Sequence, residues 1–152
     1  LNLSSFSCRD LLNICIGKLN PSNNNKVVVN LHPDTDITIT ADKIHLINII
    51  DNLLENAVKY SREDVLIEID YQEQDNDSIR ISVKDNGLGI SKSDSRHIFE
   101  KFYRSRAVID KGIPGMGLGL TYVRMLVEAH RGTIRIESEQ TSGSTFIIEL
   151  PQ

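Results

Sequence analysis

Four of the nine glycines of this 152-residue chain fall within the stretch GIPGMGLGL, between Gly112 and Gly119. Each glycine loses more backbone freedom on folding than any other residue, which destabilises an ordered element by roughly 0.5–1 kcal/mol. A concentration of glycines in one place indicates a backbone that must approach another group closely. Whatever fold the chain adopts, we expect this stretch to lie against a neighbour or a ligand.

The same stretch leads directly into a helical pattern over residues 118–130. A glycine-rich backbone followed by a helix N-terminus offers free N–H groups and a favourable dipole to an anion, and phosphate is the natural guest. The chain contains no G-x-x-x-x-G-K-[ST] string, and its glycines follow G-x-G-x-G rather than the dinucleotide pattern G-x-G-x-x-G. On this stretch alone, a flexible hinge is the alternative interpretation.

The composition is typical of one globular domain, with 39% hydrophobic and 25% charged residues. A formal net charge of −4 argues against nucleic acid as the main partner. No apolar run approaches the ~18 residues of a membrane span and no signal peptide opens the chain, so we expect any membrane anchor to lie outside this fragment of a longer protein. Cys8 and Cys15 predict buried thiols on one helix face rather than a disulfide or a metal site.

Helical and strand patterns are mixed without strict alternation, which favours an α+β fold with one sheet and helices on one face. The expected helices cover residues 7–19, 41–60 and 118–130, the last with an apolar stripe of Leu118, Tyr122, Leu126 and Ala129. The expected strands cover 27–31 and 36–40 around a turn at 32–34, a hairpin of 65–71 and 78–85, and a closing pair of 133–139 and 144–150. The expected irregular segments are a polar loop at 20–26 and a long stretch at 86–117 with a helical turn near 93–97.

The longest expected helix carries a polar stripe opposite its apolar face. At ~100° per residue, the apolar face comprises Ile47, Ile50, Leu54, Ala57 and Val58, and the polar stripe comprises Asn48, Asn52, Glu55, Asn56 and Lys59. Asparagine is a poor helix former, so three within nine residues indicate amides with a use, although a solvated face is an equally good explanation. Amide oxygens suit magnesium, and Lys59 lies where it could meet a phosphate.

Asp85 continues the inward-facing series of Ile79, Ile81 and Val83 at the end of an expected strand. An inward carboxylate costs several kcal/mol unless donors satisfy it. In one interpretation, DNG is only a turn in which Asp85 bonds its own backbone. In the other, Gly87 and Gly89 leave a floor without side chains beside the carboxylate, where a flat ligand with an exocyclic amine would fit.

Residues 96–111 hold five basic side chains against two acidic ones, a net charge of +3 within an acidic chain. This segment has no sustained apolar period and leads into the glycines. We therefore expect a mobile lid over phosphates.

Four motifs, in this order and at this spacing, resemble the catalytic ATP-binding domain of sensor histidine kinases, within the gyrase, chaperone, histidine-kinase and mismatch-repair ATPase superfamily. They are NLLENAVKY, DNGLGI, FEKFYR and GMGLGL, which are similar to the asparagine, first glycine, phenylalanine and second glycine boxes. The resemblance covers essentially all of residues 1–152. It implies a two-layer α/β sandwich in which three helices cover one face of a mixed five-stranded sheet, with a mobile ATP lid.

The resemblance also implies individual roles. Asp85 would accept the adenine amine, Asn56 would coordinate Mg²⁺, and the implied catalytic residues are Asn52, Lys59 and Arg104. The residues implied to bind ATP are Asn52, Asn56, Lys59, Tyr60, Asp85, Gly87, Gly89, Ile90, Phe102, Arg104, Gly115, Met116, Gly117, Leu118, Gly119, Leu120 and Thr145.

Two features depart from the family pattern. In TSGSTF, Thr141 stands where the first glycine of a third glycine box is expected, ahead of Gly143 and Thr145. The phosphoacceptor pattern, a histidine followed by Glu or Asp and then Pro, does not occur around any of the four histidines, which are His32, His45, His97 and His130. We expect His130 at a helix C-terminus before Gly132, and a surface role for His45.

Three functions compete: a histidine kinase domain, a hydrolytic clamp-type ATPase of the same superfamily, and a degenerate nucleotide-binding module. The hydrolytic enzymes place a glutamate base where Asn52 stands, whereas a neutral imidazole acceptor needs no base to activate water. Glu55 could replace that base but projects about 60° away from Asn52 on the helix. Asn56 and Asp85 argue against a degenerate module.

The resemblance therefore implies a domain that binds Mg-ATP and transfers the γ-phosphoryl group to a histidine of a separate dimeric helical phosphoacceptor domain. From there the phosphate passes to a response-regulator receiver domain. We expect a cytoplasmic location, as part of a membrane-bound sensor.

Overall fold

The computed structural model describes residues 1–20 and 25–152, so residues 21–24 of the expected polar loop lie outside the described part. The strands are β1 Leu3–Ser7, β2 Val27–His32, β3 Thr38–Asp42, β4 Val65–Gln74, β5 Ser78–Asp85, β6 Thr133–Ser138 and β7 Ser144–Pro151. The helices are α1 Cys8–Gly17, α2 Lys43–Lys59, α3 Arg106–Asp110 and α4 Gly119–Ala129, with a 3₁₀ turn at Asp94–Arg96.

The larger sheet is mixed, with the strand order β2-β4-β5-β7-β6. β2 runs parallel to β4, and the other neighbours are antiparallel. Successive residues of a strand point to opposite faces, so Ile67 and Ile69 are fully buried while Leu66 is 40% exposed. The buried face shares one apolar core with α1, α2 and α4, which confirms the predicted α+β sandwich with helices on one face.

A second sheet of two strands is a departure from the predicted single sheet. β1 pairs antiparallel with β3, which places Phe6 opposite Ile39. The strand at residues 3–7 is not predicted, because LSSFS has neither sustained alternation nor a turn signal that points to its partner. The pairing joins residues about 35 positions apart, and a local pattern does not contain that information.

The two long helices bury broader or different faces than the patterns predict. In α2, Leu46, Ile49, Ile50, Leu53, Leu54 and Ala57 are buried, whereas the predicted Ile47 and Val58 are half-buried. The buried arc is wide because α2 packs against the sheet and also contacts α1 and α4. In α4, the buried residues are Val123, Leu126 and Val127, so the predicted stripe of Leu118, Tyr122 and Ala129 is wrong except at Leu126.

Both cysteines of α1 are buried free thiols, as predicted. Burial raises the pKa of Cys8 and of Cys15 to about 12.

Among the helices of residues 1–20 and 25–152, none has the length and hydropathy needed to cross a membrane.

Asp42 joins three elements at the start of α2. Its carboxylate accepts the N–H groups of Ile44 and His45 as the helix N-cap, at 3.2 Å each, and that of Asn2 at 2.8 Å. Its own N–H donates to Nε2 of His130 at 3.0 Å, and His130 forms the predicted C-terminal end of α4. The left-handed residue after α4 is Arg131, with φ of 59°, rather than the predicted Gly132.

We predict a pH-dependent loss of stability in Asp42→Asn. The N–H groups of Asn2 and His45 lower the pKa of Asp42 below its ordinary value of 3.8. Stabilisation by the carboxylate is therefore present above that value and is lost as the pH falls through the folded-state pKa. The variant should unfold at a lower temperature than the wild type at pH 7, and the difference should shrink as the pH falls below 3.8.

Thermal unfolding between pH 7 and pH 3 measures this effect. Asp34→Asn is the matched control, because the Asp34 side chain is fully exposed. A difference in Tm that stays constant over this pH range would show that the charge of Asp42 does not stabilise the fold.

Candidate functional site

A cavity of about 320 Å³ opens between α2, the end of β5, the segment before α3 and the N-terminus of α4. This volume lies at the small end of the range of ligand-binding pockets. Most of the predicted site residues line it, namely Asn52, Asn56, Lys59, Tyr60, Asp85, Gly89, Ile90, Arg104, Met116, Gly117, Leu118, Gly119 and Leu120. The remaining wall comes from residues outside the predicted set, namely Glu55, Leu88, Ile98, Tyr103, Ser105, Val108, Ser144 and Phe146.

Four predicted residues lie near the cavity but do not line it. Gly87 is buried beneath it, where a Cβ atom would stand 2.7 Å from the carbonyl oxygen of Tyr60. Phe102 is 71% exposed, and Thr145 lines a separate groove beside Lys84 and Glu137. A Cβ atom on Gly115 would stand 2.6 Å from Lys59 Nζ, so the glycine at this position leaves room for the ammonium group.

Asp85 lines the cavity from the end of β5, the position that strand alternation predicts. Its carboxylate accepts the N–H of Gly87 at 2.8 Å, which confirms the turn interpretation. The site interpretation stays a prediction. Burial raises the pKa of Asp85, and the N–H groups of Gly87 and Ser144 oppose that rise. The result is a half-buried acceptor that faces an enclosed space.

At the Asp85 end of the cavity, two glycines allow the backbones of neighbouring loops to lie in close contact. A Cβ atom on Gly89 would overlap the carbonyl oxygen of Glu139, and one on Gly143 would overlap that of Asp85. The predicted floor beside Asp85 is therefore packed against a second loop rather than open on both sides. Thr141 adopts φ of 76° in this loop, so a threonine occupies the left-handed conformation where the family places a glycine.

The polar stripe of α2 forms one long wall of the cavity. The Asn52 amide donates to the carbonyl oxygen of Asn48 at 2.8 Å, which leaves its Oδ1 atom beside Gly119, 3.1 Å from where a Cβ atom would stand. Asn52 and Tyr60 both line the cavity, and eight residues of helix separate them by about 12 Å. The cavity is thus long enough for an elongated ligand, with Asp85 near one end and the start of α4 near the other.

Cationic groups are positioned by the lid segment and by α2. Lys59 Nζ lies 5.3 Å from the centre of the Tyr60 ring, and the Arg104 guanidinium group donates to the carbonyl oxygen of Ile113. The segment predicted to be irregular contains the 3₁₀ turn and also the short helix α3, which Ser105 caps. The mobility of this lid stays a prediction.

The oxygen donors of the cavity fit a hard cation. Asn52, Glu55 and Asn56 line it from one helix, and such a set resembles the few protein oxygens that accompany Mg²⁺ when a phosphate supplies further ligands. Within residues 1–20 and 25–152, no three His, Cys, Asp or Glu side chains are grouped to hold a metal by themselves.

Half of the eight wall residues that were not predicted are apolar, and the sequence pattern of these four resembles that of ordinary core. Ile98 and Phe146 both pack against the hydrophobic core and also reach the cavity. Tyr103 sits within a motif, between Phe102 and Arg104, so the resemblance supplied a signal that could have included it.

Comparison with known proteins gives concordant results. Residues 41–152 match the model of the family described as histidine kinase-, DNA gyrase B- and HSP90-like ATPases. The sensor protein RprX of Bacteroides fragilis is 42% identical over 130 residues, which cover 84% of this chain and 25% of RprX. The sensor histidine kinase WalK of Bacillus subtilis is 37% identical over 121 residues, which cover 78% of this chain and 20% of WalK. The chain thus spans about a quarter or less of the length of these relatives.

Solved structures agree with the fold. Full-length ShkA, crystallised in complex with AMPPNP, superposes with a TM-score of 0.84 at 27% identity over 99% of this chain and 31% of ShkA. The catalytic domain of histidine kinase ThkA superposes with a TM-score of 0.80 at 23% identity, over 99% of this chain and 98% of that domain.

Proposed function

The chain belongs to the family of histidine kinase-, DNA gyrase B- and HSP90-like ATPases, and on this premise we propose that it binds Mg-ATP and transfers the γ-phosphoryl group to a histidine of a partner domain. The observation that carries the proposal is one elongated cavity with a half-buried carboxylate near one end and cationic groups along its wall. The names of the relatives, which are sensor proteins and sensor histidine kinases, favour this reaction within the family.

The proposed adenine end lies beside Asp85. Its carboxylate can accept an exocyclic amine, and Leu88, Ile90 and Ile98 line the same cavity with apolar surface suited to a flat base. Guanine carries a carbonyl oxygen where adenine carries the amine, so a carboxylate acceptor disfavours it. The site is therefore proposed to select adenine nucleotides.

The proposed phosphate end lies between α2 and the lid. Lys59 and Arg104 supply positive charge. Gly117 precedes α4 and Gly119 is its first residue, so both expose backbone at the N-terminus of the helix. Asn56 is proposed to hold Mg²⁺, with Asn52 and Glu55 as neighbouring oxygen donors. The bound ion would neutralise phosphate charge, while the protein residues orient the chain of phosphates.

In the proposed transfer, a ring nitrogen of a neutral acceptor histidine attacks the γ-phosphorus atom. The bond from phosphorus to the bridging oxygen breaks, ADP leaves, and the proton of the other ring nitrogen is released. Lys59 and Arg104 would stabilise the charge that develops on the phosphoryl and leaving oxygens. The lid residues would exclude water from the reacting phosphate.

The acceptor is proposed to be a dimeric helical domain of the same longer protein, and the phosphate would pass on to a response-regulator receiver domain. Residues 1–152 would act as one catalytic domain within that protein. We propose that this protein is a membrane-bound sensor and that the present domain works on its cytoplasmic side.

A hydrolytic ATPase is the second candidate, because Glu55 lines the cavity and could act as a base towards water. The Asn52 side chain occupies the place of the usual glutamate and donates to its own helix. Glu55 is exposed and also borders a second groove, which Lys18 and Lys111 line, so it is poorly placed to hold an isolated water molecule. This arrangement favours transfer over hydrolysis.

We predict that Asp85→Asn weakens ATP binding by about 1.5–3 kcal/mol, the range for a hydrogen bond to a charged group. Titration calorimetry should also show tighter binding of ATP than of GTP by the wild type. Asp70→Asn is the matched control, since Asp70 is exposed on the other face of the sheet. Equal affinities for ATP and GTP, or an unchanged affinity in Asp85→Asn, would contradict an adenine site at Asp85.

A second prediction concerns Asn56→Ala, which should weaken ATP binding in Mg²⁺ and change it little in EDTA. The expected loss in Mg²⁺ is about tenfold, because one oxygen ligand of the ion is removed. Asn48→Ala is the control, since Asn48 belongs to the same stripe but does not line the cavity. Equal losses in both buffers would indicate that Asn56 has a structural role instead.

A further inference from the structure

A hydrogen bond between two side chains braces the segment that carries Arg104. The Tyr103 hydroxyl donates to the carboxylate of Asp94, which begins the 3₁₀ turn. The other carboxylate oxygen of Asp94 accepts the Ser91 hydroxyl at 2.7 Å, and the Asp94 N–H donates back to Ser91 Oγ at 3.1 Å. The acceptor of the Tyr103 hydroxyl is therefore itself held in place.

Tyr103 is part of the cavity wall, so the Asp94–Tyr103 pair connects the 3₁₀ turn to the site. The Tyr103 ring also packs against the His97 ring, with centroids 5.4 Å apart. The carboxylate of Asp94 raises the pKa of Tyr103 to about 12, so the hydroxyl remains a donor at neutral pH. The pair thus fixes both the position of the ring and the direction of its hydroxyl group.

The backbone beside Tyr103 adopts a conformation that needs such support. Phe102 has φ of 64°, in the left-handed region that a bulky residue rarely occupies. Its side chain is 71% exposed, so burial of the ring does not stabilise this conformation. The Phe102 N–H donates to the carbonyl oxygen of Gly117 at 3.0 Å, and a Cβ atom on Gly117 would stand 2.6 Å from the Tyr103 carbonyl oxygen.

Arg104 follows directly and lines the cavity, with its guanidinium group bonded to the Ile113 carbonyl oxygen. Because Arg104 directly follows Tyr103 in the chain, the backbone turn at Phe102 and Tyr103 sets where the Arg104 side chain starts, and the bond to Ile113 holds its far end. We propose that Asp94 is a positioning residue for phosphate binding, which acts through the Tyr103 hydroxyl to hold Arg104 towards the phosphate end of the cavity. This inference rests on the proposed function of Arg104, and it assigns a role to a residue that lies outside the four motifs.

A purely structural role for Asp94 makes a different prediction. If Asp94 only stabilised the 3₁₀ turn, its loss would affect all nucleotides equally. If it positions Arg104, its loss should affect ATP and spare AMP, which lacks the β- and γ-phosphates. The ratio of the two affinities separates these roles.

The experiment measures ATP and AMP binding by displacement of a fluorescent ATP analogue from the full chain and its variants. Tyr103→Phe removes the donor and keeps the ring, and Asp94→Ala removes the acceptor. Each should weaken ATP binding by about tenfold, as for loss of a hydrogen bond to a charged group, and change AMP binding by less than about twofold. The double variant should lose no more than either single variant, since the two changes break one interaction.

Asp94→Asn is the conservative variant, because its amide oxygen can still accept the Tyr103 hydroxyl. It should keep most of the ATP affinity. Glu100→Gln is the matched control, since it removes a neighbouring carboxylate that pairs with His97 and does not line the cavity. Its affinities for both nucleotides should match the wild type.

An unchanged affinity for ATP in Tyr103→Phe and Asp94→Ala would overturn the inference alone. Equal losses for both nucleotides would likewise overturn it, in favour of a structural role. A wild-type chain that binds neither nucleotide would overturn the proposed function and this inference with it.

Discussion

The burial of α2 against the sheet is the packing on which the site depends. Leu46, Ile50 and Leu54 are fully buried on one face, so the helix cannot rotate or slide without exposing apolar surface. The opposite face carries Asn52 and Lys59 along one wall of the cavity. Functional groups on a packed helix keep their relative positions better than groups on loops. The core therefore sets the geometry of the wall that is proposed to face the nucleotide.

The other walls depend on backbone contacts between loops. Gly89 and Gly143 allow two loops to touch, and Gly117 allows the lid end to lie against Tyr103. Two residues accept unfavourable backbone conformations in the same region, namely Phe102 and Thr141. Such conformations persist only where the surrounding structure holds them, and they are found most often at functional sites. The α2 wall is thus held by core packing, whereas the walls around the lid depend on local backbone contacts.

The regular spacing of apolar and polar residues predicts the elements in which one face is buried, such as β5 and α2. Strand alternation placed Asp85 at the cavity, and the stripe of α2 placed Asn52 and Asn56 there. Pairing of β1 with β3 and the α3 turn could not be predicted in this way, because each depends on contacts that leave no regular spacing. The charge of residues 96–111 predicted the lid, and the motif resemblance added individual residues such as Arg104. The resemblance also included Gly87, which packs against the Tyr60 carbonyl group and does not line the cavity. Apolar wall residues such as Ile98 have the pattern of ordinary core, and only the folded chain distinguishes them.

Phosphoryl transfer to a separate histidine is the central claim, and one measurement tests it directly. The chain is mixed with γ-labelled ATP, in the presence and absence of the dimeric helical phosphoacceptor segment that is proposed for the full-length protein. The account predicts acid-labile label on the acceptor segment, none on the present chain, and slow ATP turnover when the acceptor is absent. Label on the present chain alone, or rapid ATP hydrolysis without any acceptor, would contradict it.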